Sequence, residues 1–257
     1  MKRTKIDKDQ SDFPVELREI ILGADLYDSS CSPEARVYFA DKGKGFYIKS
    51  APKGSLYRES LMDKYFHSKG LGAKVVQYLS LERDWLVTER VCGEDATHAL
   101  YLNDPLRLAQ AMGELLSELH SLPASDCPVK DRMTEYFNTV DEGYRLGRYD
   151  ASYGDFSSME EAYRIAAEGR NLLKSDTLIH GDFCLPNFLM DNWQFCGYID
   201  LGNGGIGDRH VDIFWGAWTL NFNLGTDQYR EVFFDAYGKH KINDEALRII
   251  SAAECFG

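Results

Sequence analysis

His180-Gly181-Asp182-Phe183-Cys184-Leu185-Pro186-Asn187, followed by Ile199-Asp200-Leu201-Gly202, is the stretch on which the reading of this chain turns. An aspartate is followed five residues later by an asparagine and thirteen residues after that by a second aspartate. Phosphoryl transfer from a nucleotide needs such a set: one carboxylate to orient and deprotonate a hydroxyl, and hard oxygen ligands for magnesium. Asp182 is the candidate base, and Asn187 and Asp200 are the candidate metal ligands. Between the latter two, Phe188-Leu189-Met190 is apolar and β-prone, Asp191-Asn192 is a turn signal, and 195–199 is a second short apolar run. A hairpin there would bring both ligands to its open end. Alone, Asp182 reads more readily as a turn or helix-cap residue, and Asp200 as a strand-end turn residue before Gly202. Three oxygen-bearing side chains at these spacings predict a kinase.

Working outward, the residues before the motif alternate in the manner of a small sheet. Runs at 36–40 and 45–49 flank a turn at 41–44, and 74–81 and 84–90 read as two further strands. A helix is predicted over 57–68, with Leu61, Met62, Tyr65 and Phe66 on one side and Gly70 as its stop, and a short one over 15–22. From Pro105 the character turns helical. Leu106, Ala109, Met112, Leu115, Leu116 and Leu119 mark an amphipathic segment ending near His120. Further helices are expected over 133–146, 158–173, 212–220, 226–237 and 244–255. The expected fold is therefore α+β and bilobal: an N-lobe of small antiparallel sheet with one helix over 1–91, and a mainly helical C-lobe over 92–257.

Composition narrows the function classes. Hydrophobic residues make up 44% of the 257, enough for a packed core, and no apolar run reaches the roughly 20 residues of a membrane helix. The start, Met1-Lys2-Arg3-Thr4-Lys5, carries no signal-peptide core. Six scattered cysteines with no C-x-x-C pair suggest neither a zinc knuckle nor a disulfide framework, so a reducing cytoplasm is expected. A net charge of −12 argues against nucleic acid as partner and suits a small polycationic substrate, although solubility alone accounts for such acidity in many proteins. A monomer or weak dimer is expected.

H-G-D-x-x-x-x-N followed by I-D resembles the catalytic and metal-binding segments of the antibiotic phosphotransferases, distant relatives of the protein kinases. More narrowly, Ile199-Asp200-Leu201-Gly202, Asp212-Ile213, Gln228-Tyr229, Phe233-Phe234-Asp235 and Glu254-Cys255-Phe256 resemble the aminoglycoside 3′-phosphotransferases. The resemblance implies Mg2+ and ATP or GTP as co-substrate, and an aminoglycoside as acceptor at its 3′-hydroxyl. It implies that Lys49 neutralises the nucleotide phosphates, with Glu59 holding it by an ion pair. Tyr47 would stack on the base, Ser32 would hydrogen-bond a phosphate, and Glu89-Arg90-Val91 would form the hinge that reads the base edge through Glu89 and Val91. Asp212 matches a position that braces the catalytic loop, and His180 a loop anchor. For the acceptor, the resemblance implies carboxylates before the catalytic motif, with Asp150 and Asp155 the candidates, together with Glu254 and Phe256 at the C-terminal end.

Four residues depart from the pattern. Ala253 stands where an aspartate is usual, Asn203 and Trp218 where arginines are usual, and Gly257 extends beyond Phe256. The phosphotransfer set is complete, whereas acceptor recognition has drifted. Two alternatives therefore stay open: a kinase of the same fold acting on a metabolite alcohol or sugar, and a non-catalytic nucleotide-binding protein.

Overall fold

A computed structural model describes residues 3–7, 10–31 and 35–257. The chain divides into two compact units, residues 1–95 with 188–202, and residues 96–187 with 203–257. In chain order the elements begin with β1 (Thr4–Lys5), α1 (Arg18–Ile21), β2 (Asp25–Asp28), β3 (Arg36–Asp41), β4 (Phe46–Pro52) and α2 (Tyr57–Ser68). There follow β5 (Val75–Ser80), β6 (Arg83–Glu89), β7 (Glu94–Asp95), α3 (Ala99–Leu102), α4 (Pro105–Ser121), α5 (Arg132–Arg145) and α6 (Met159–Gly169). The remainder comprises β8 (Thr177–Ile179), β9 (Phe188–Asp191), β10 (Gln194–Tyr198), β11 (Gly205–Gly207), α7 (His210–Leu224), α8 (Arg230–Tyr237) and α9 (Asp244–Glu254).

The first unit carries a six-stranded antiparallel sheet in the order β1-β2-β3-β4-β6-β5. Strand alternation puts Ile48 at 0% exposure on the core side of β4, against Phe13, Leu17, Tyr38 and Val87, and leaves Tyr47 and Lys49 on the opposite face. Helix α2 buries Met62 and Phe66 completely, as its apolar spacing predicts. It also buries Glu59 and Asp63, one turn apart, which that spacing does not predict. The expected hairpin exists. β9 and β10 pair with Phe188 opposite Tyr198 and Asp191 opposite Gln194, and Asn192 and Trp193 form the turn with φ of 48° and 71°. Two consecutive positive φ values are what a two-residue primed turn requires, and asparagine is among the residues that tolerate them best.

The second unit is mainly helical. Helix α4 packs on α8 so closely that a Cβ on Gly113 would lie 2.5 Å from the carbonyl oxygen of Phe233. A second core joins α5, α6 and α9 through Phe137, Val140, Ala162, Ala166, Ile249, Ile250 and Phe256. The expected helices over 158–173 and 226–237 are shorter, because Gly169 passes into a separate turn at Arg170–Leu172 and α8 begins only at Arg230. The one over 212–220 runs longer, ending where Gly225 takes the left-handed conformation at φ 66°. Strands β8 and β11 pair at 177–179 and 205–207, runs too short to show in the sequence pattern. Among the described residues no helix is long and apolar enough to cross a membrane. All six cysteines are free thiols.

Candidate active site

In the first unit, Lys49 Nζ donates to both carboxylate oxygens of Glu59, at 2.9 and 2.8 Å, and to Asp200 Oδ1 at 2.6 Å. Burial alone would lower the lysine pKa, but the two carboxylates outweigh it and hold the ammonium above its ordinary value. Burial raises the Glu59 acid, with Lys49 pulling against it. Asp63 lies beneath them, raised well above the usual carboxylate range by burial and then by Glu59. Asp200 is half exposed and adopts φ 61°, a left-handed conformation that aspartate reaches more readily than most residues.

A hollow of about 170 Å³ in the same unit is lined by Tyr47, Arg90, Val91, Gly93 and Leu189, with Arg3, Glu94 and Asp95. The Tyr47 hydroxyl accepts a hydrogen bond from Arg3 Nη2 at 2.6 Å, and the Arg3 guanidinium lies 3.7 Å over the Phe39 ring. Tyr47 therefore shares the hollow with an arginine that the motif reading did not include. Glu89 ends β6 and accepts from Lys74 at 3.3 Å, so its side chain points to a neighbouring strand while Val91 borders the hollow. Ser32 lies outside the described residues.

In the second unit, the catalytic-loop candidate is held by one carboxylate. Asp212, at 0% exposure, accepts from the backbone amides of His180 and Gly181, each at 2.7 Å, and from His120 Nε2 at 3.0 Å. Burial lowers the His120 pKa, so the ring is neutral, and Nδ1 accepts from the Tyr237 hydroxyl at 2.9 Å. Gly181 takes φ 82°, and a Cβ there would lie 2.0 Å from the Asn203 carbonyl oxygen. Only glycine fits. Asn203 is in turn gripped by Arg132, whose Nε donates to its carbonyl at 3.0 Å and whose Nη2 donates to Oδ1 at 3.1 Å. Within the loop, Asn187 Nδ2 donates to Asp182 Oδ2 at 2.8 Å and to the Asp182 carbonyl at 2.9 Å. The structure thus brings Asp182 and Asn187 together.

The acceptor candidates fare differently. Glu254 is buried, and its Oε1 accepts from Tyr136 Oη at 2.8 Å and from Trp215 Nε1 at 3.1 Å. Burial pushes its pKa up to about 7 against the opposing pull of these donors, and the charge of Asp182 raises it further. Phe256 is at 0% exposure, its ring packed on Tyr144, Tyr149 and Tyr163. Asp150 is exposed and caps a short turn by accepting from the Ser152 amide at 2.9 Å, which lowers its pKa. Its own amide donates to the Cys255 carbonyl at 2.9 Å, so the acidic loop runs along the C-terminal segment. Asp155 is exposed on that loop. His120, Arg132, Tyr136, Trp215 and Asp63 were missed from the sequence. A histidine closing the apolar stripe of α4 was the one legible signal, since a buried imidazole needs a partner.

Residues 33–250 match the family model of the phosphotransferase enzymes. The chain belongs to the phosphotransferase enzyme family. It is 44% identical over 249 residues to a probable aminoglycoside 3′-phosphotransferase of Lactococcus lactis subsp. lactis strain IL1403, covering 95% of both chains. A solved aminoglycoside 3′-phosphotransferase of type VIII shares 25% identity with a TM-score of 0.78, over 96% of this chain and 99% of that one. An aminoglycoside phosphotransferase from Streptomyces rimosus, solved with ADP and streptomycin, shares the fold at 20% identity with a TM-score of 0.79, over 97% of this chain and 99% of that one. The fold of this family member is thus that of the aminoglycoside phosphotransferases, whose architecture is kinase-like.

Proposed function

We propose that this chain transfers the γ-phosphate of ATP or GTP to the 3′-hydroxyl of an aminoglycoside. The observation that carries the reading is the loop at 180–187, in which Asp182 is bonded to Asn187 and the backbone is fixed by Asp212. The long match to a relative named for this activity supports it. In this reading Asp182 accepts the hydrogen bond of the attacking hydroxyl and aligns it, and orientation matters more than basicity because the transition state is loose. Its carboxylate is steadied from one side by the Asn187 amide, which limits the angles it can sample.

The donor set fits magnesium. Asn187 turns its nitrogen onto Asp182, so its remaining amide atom is a hard oxygen, and Asp200, just after β10, is a half-exposed carboxylate of the same hard-donor kind. Magnesium, when bound, would supply positive charge against the nucleotide phosphates. We assign the first unit to the nucleotide: Lys49 offers a fixed positive charge, and Tyr47 and Val91 line the hollow for the base. The second unit is assigned to the acceptor, with Glu254 beside Asp182. Phosphorylation would inactivate a drug that binds through its cations by adding negative charge. The departures at Ala253, Asn203 and Trp218 favour a second reading, in which the same residues act on a metabolite alcohol or sugar.

A coupled nucleotide-consumption assay across an aminoglycoside panel tests the proposal. Stimulation by at least one kanamycin- or neomycin-like compound is expected. No stimulation by any of them, with response to a single metabolite, would move the assignment to the second reading.

A further inference from the structure

Helix α7 touches the catalytic loop with its smallest side chains. A Cβ on Gly216 would lie 3.3 Å from the Phe183 ring, and Thr219 Oγ1 accepts from the Leu185 amide at 3.2 Å. The residue preceding each of these on the helix is a tryptophan. Trp215 is spoken for by its bond to Glu254. Trp218 stands in T-shaped contact with it at 5.4 Å, with Tyr153 5.7 Å away on another side. One helical turn on, Phe222 stacks on Trp218 at 4.9 Å and 12°, and is itself 69% exposed. A half-buried indole is thus held in a fixed plane by neighbouring rings, on the helix that packs against residues 183–185.

The charge of the neighbourhood says what such a plane is for. The one buried carboxylate at the C-terminal end has both its donors on a single oxygen and is protonated in part at neutral pH. A π face attracts an ammonium group and the polarised C–H bonds of a saturated sugar ring without the desolvation cost of a second carboxylate. We propose that Trp218 is a specificity-determining residue of the acceptor site, stacking its indole face on an amino-substituted saturated ring of the acceptor. This rests on the aminoglycoside reading above and names how that class is recognised where the usual carboxylate and arginines are missing.

Calorimetric titration of kanamycin into the Asp182→Asn enzyme measures binding without turnover, and the same Trp218 substitutions on the Asp182 background give kcat and KM. Trp218→Leu, which keeps apolar volume but no π face, is expected to weaken binding and raise KM about tenfold, with kcat within about twofold. Trp218→Phe is expected to bind within about threefold of the parent. Unchanged affinity in Trp218→Leu, or equal losses in both variants, would overturn the proposal. Binding that depends on the ring, without phosphate transfer by the parent enzyme, would support it while removing the assignment of the reaction. Absence of any binding to the parent would remove both.

Discussion

Residues 180–187 and residues 253–257 belong to the same unit, yet they are held by different means. The first segment hangs from a single buried carboxylate that takes three hydrogen bonds, two of them from the backbone. In the second, Phe256 is wedged on three tyrosines, and among the described residues the Glu254 carboxylate takes its hydrogen bonds from the side chains of Tyr136 and Trp215, none from the backbone. Hydrogen bonds fix direction as well as distance, so the loop tolerates few alternatives. Packing is satisfied by many side chains of suitable volume. This difference explains why the phosphotransfer motif is complete while Ala253 and Trp218 depart from the pattern it resembles.

The comparison is broken most sharply at its centre. Asp182→Ala is expected to lower turnover by about 10³-fold with nucleotide affinity little altered, since positioning the hydroxyl matters mainly in the transition state. Steady-state kinetics and nucleotide titration check this, and a parallel loss of both would instead indicate a disordered loop. Gly181→Ala places a methyl group 2.0 Å from a backbone oxygen at φ 82°. A loss of about 3 kcal/mol or more is expected in urea unfolding, and a neutral result would show that the loop yields more easily than its bonding suggests.

The acceptor end should respond through pH. The Glu254 acid sits at about 7 in the fold against an ordinary 4.5, so the native state holds its proton more tightly than the unfolded chain. That contribution is complete below pH 4.5 and is lost as pH rises through about 7. Its size is about 3 kcal/mol. Glu254→Gln should flatten this part of the stability profile, and an unchanged slope would place the titration elsewhere. The smallest effect belongs to the first unit. Burial raises the Asp63 acid well above the usual carboxylate range, so Asp63→Asn, which mimics the uncharged form, should change stability by less than about 1 kcal/mol in thermal unfolding. A larger loss would mean that its charged form takes part in the Lys49 cluster.

The sequence disclosed the elements with strong periodicity and the residues whose chemistry depends on local spacing. Helix α2, the hairpin of β9 and β10, and the pair Asp182–Asn187 were all legible because their partners lie within a few residues or repeat at a fixed interval. Long-range partners were not. Arg132 meets Asn203 across 71 residues and His120 meets Asp212 across 92, and neither pairing leaves a trace in local pattern. Burial was hidden in the same way. The spacing of Glu254 and Phe256 gave no sign that α5, α6 and α9 close over Phe256 or that Glu254 is bonded to Tyr136 and Trp215.

The most direct measurement is identification of the product. Enzyme, Mg-ATP and kanamycin are incubated together, and the drug is recovered for mass spectrometry and phosphorus–proton correlation NMR. The account predicts a gain of one phosphoryl group, with coupling from phosphorus to the proton on the 3′ carbon, and about 10³-fold less of it from Asp182→Ala in the same time. Nucleotide hydrolysis with the drug unmodified, or the same phosphate ester formed by Asp182→Ala at the parent's rate, would contradict it.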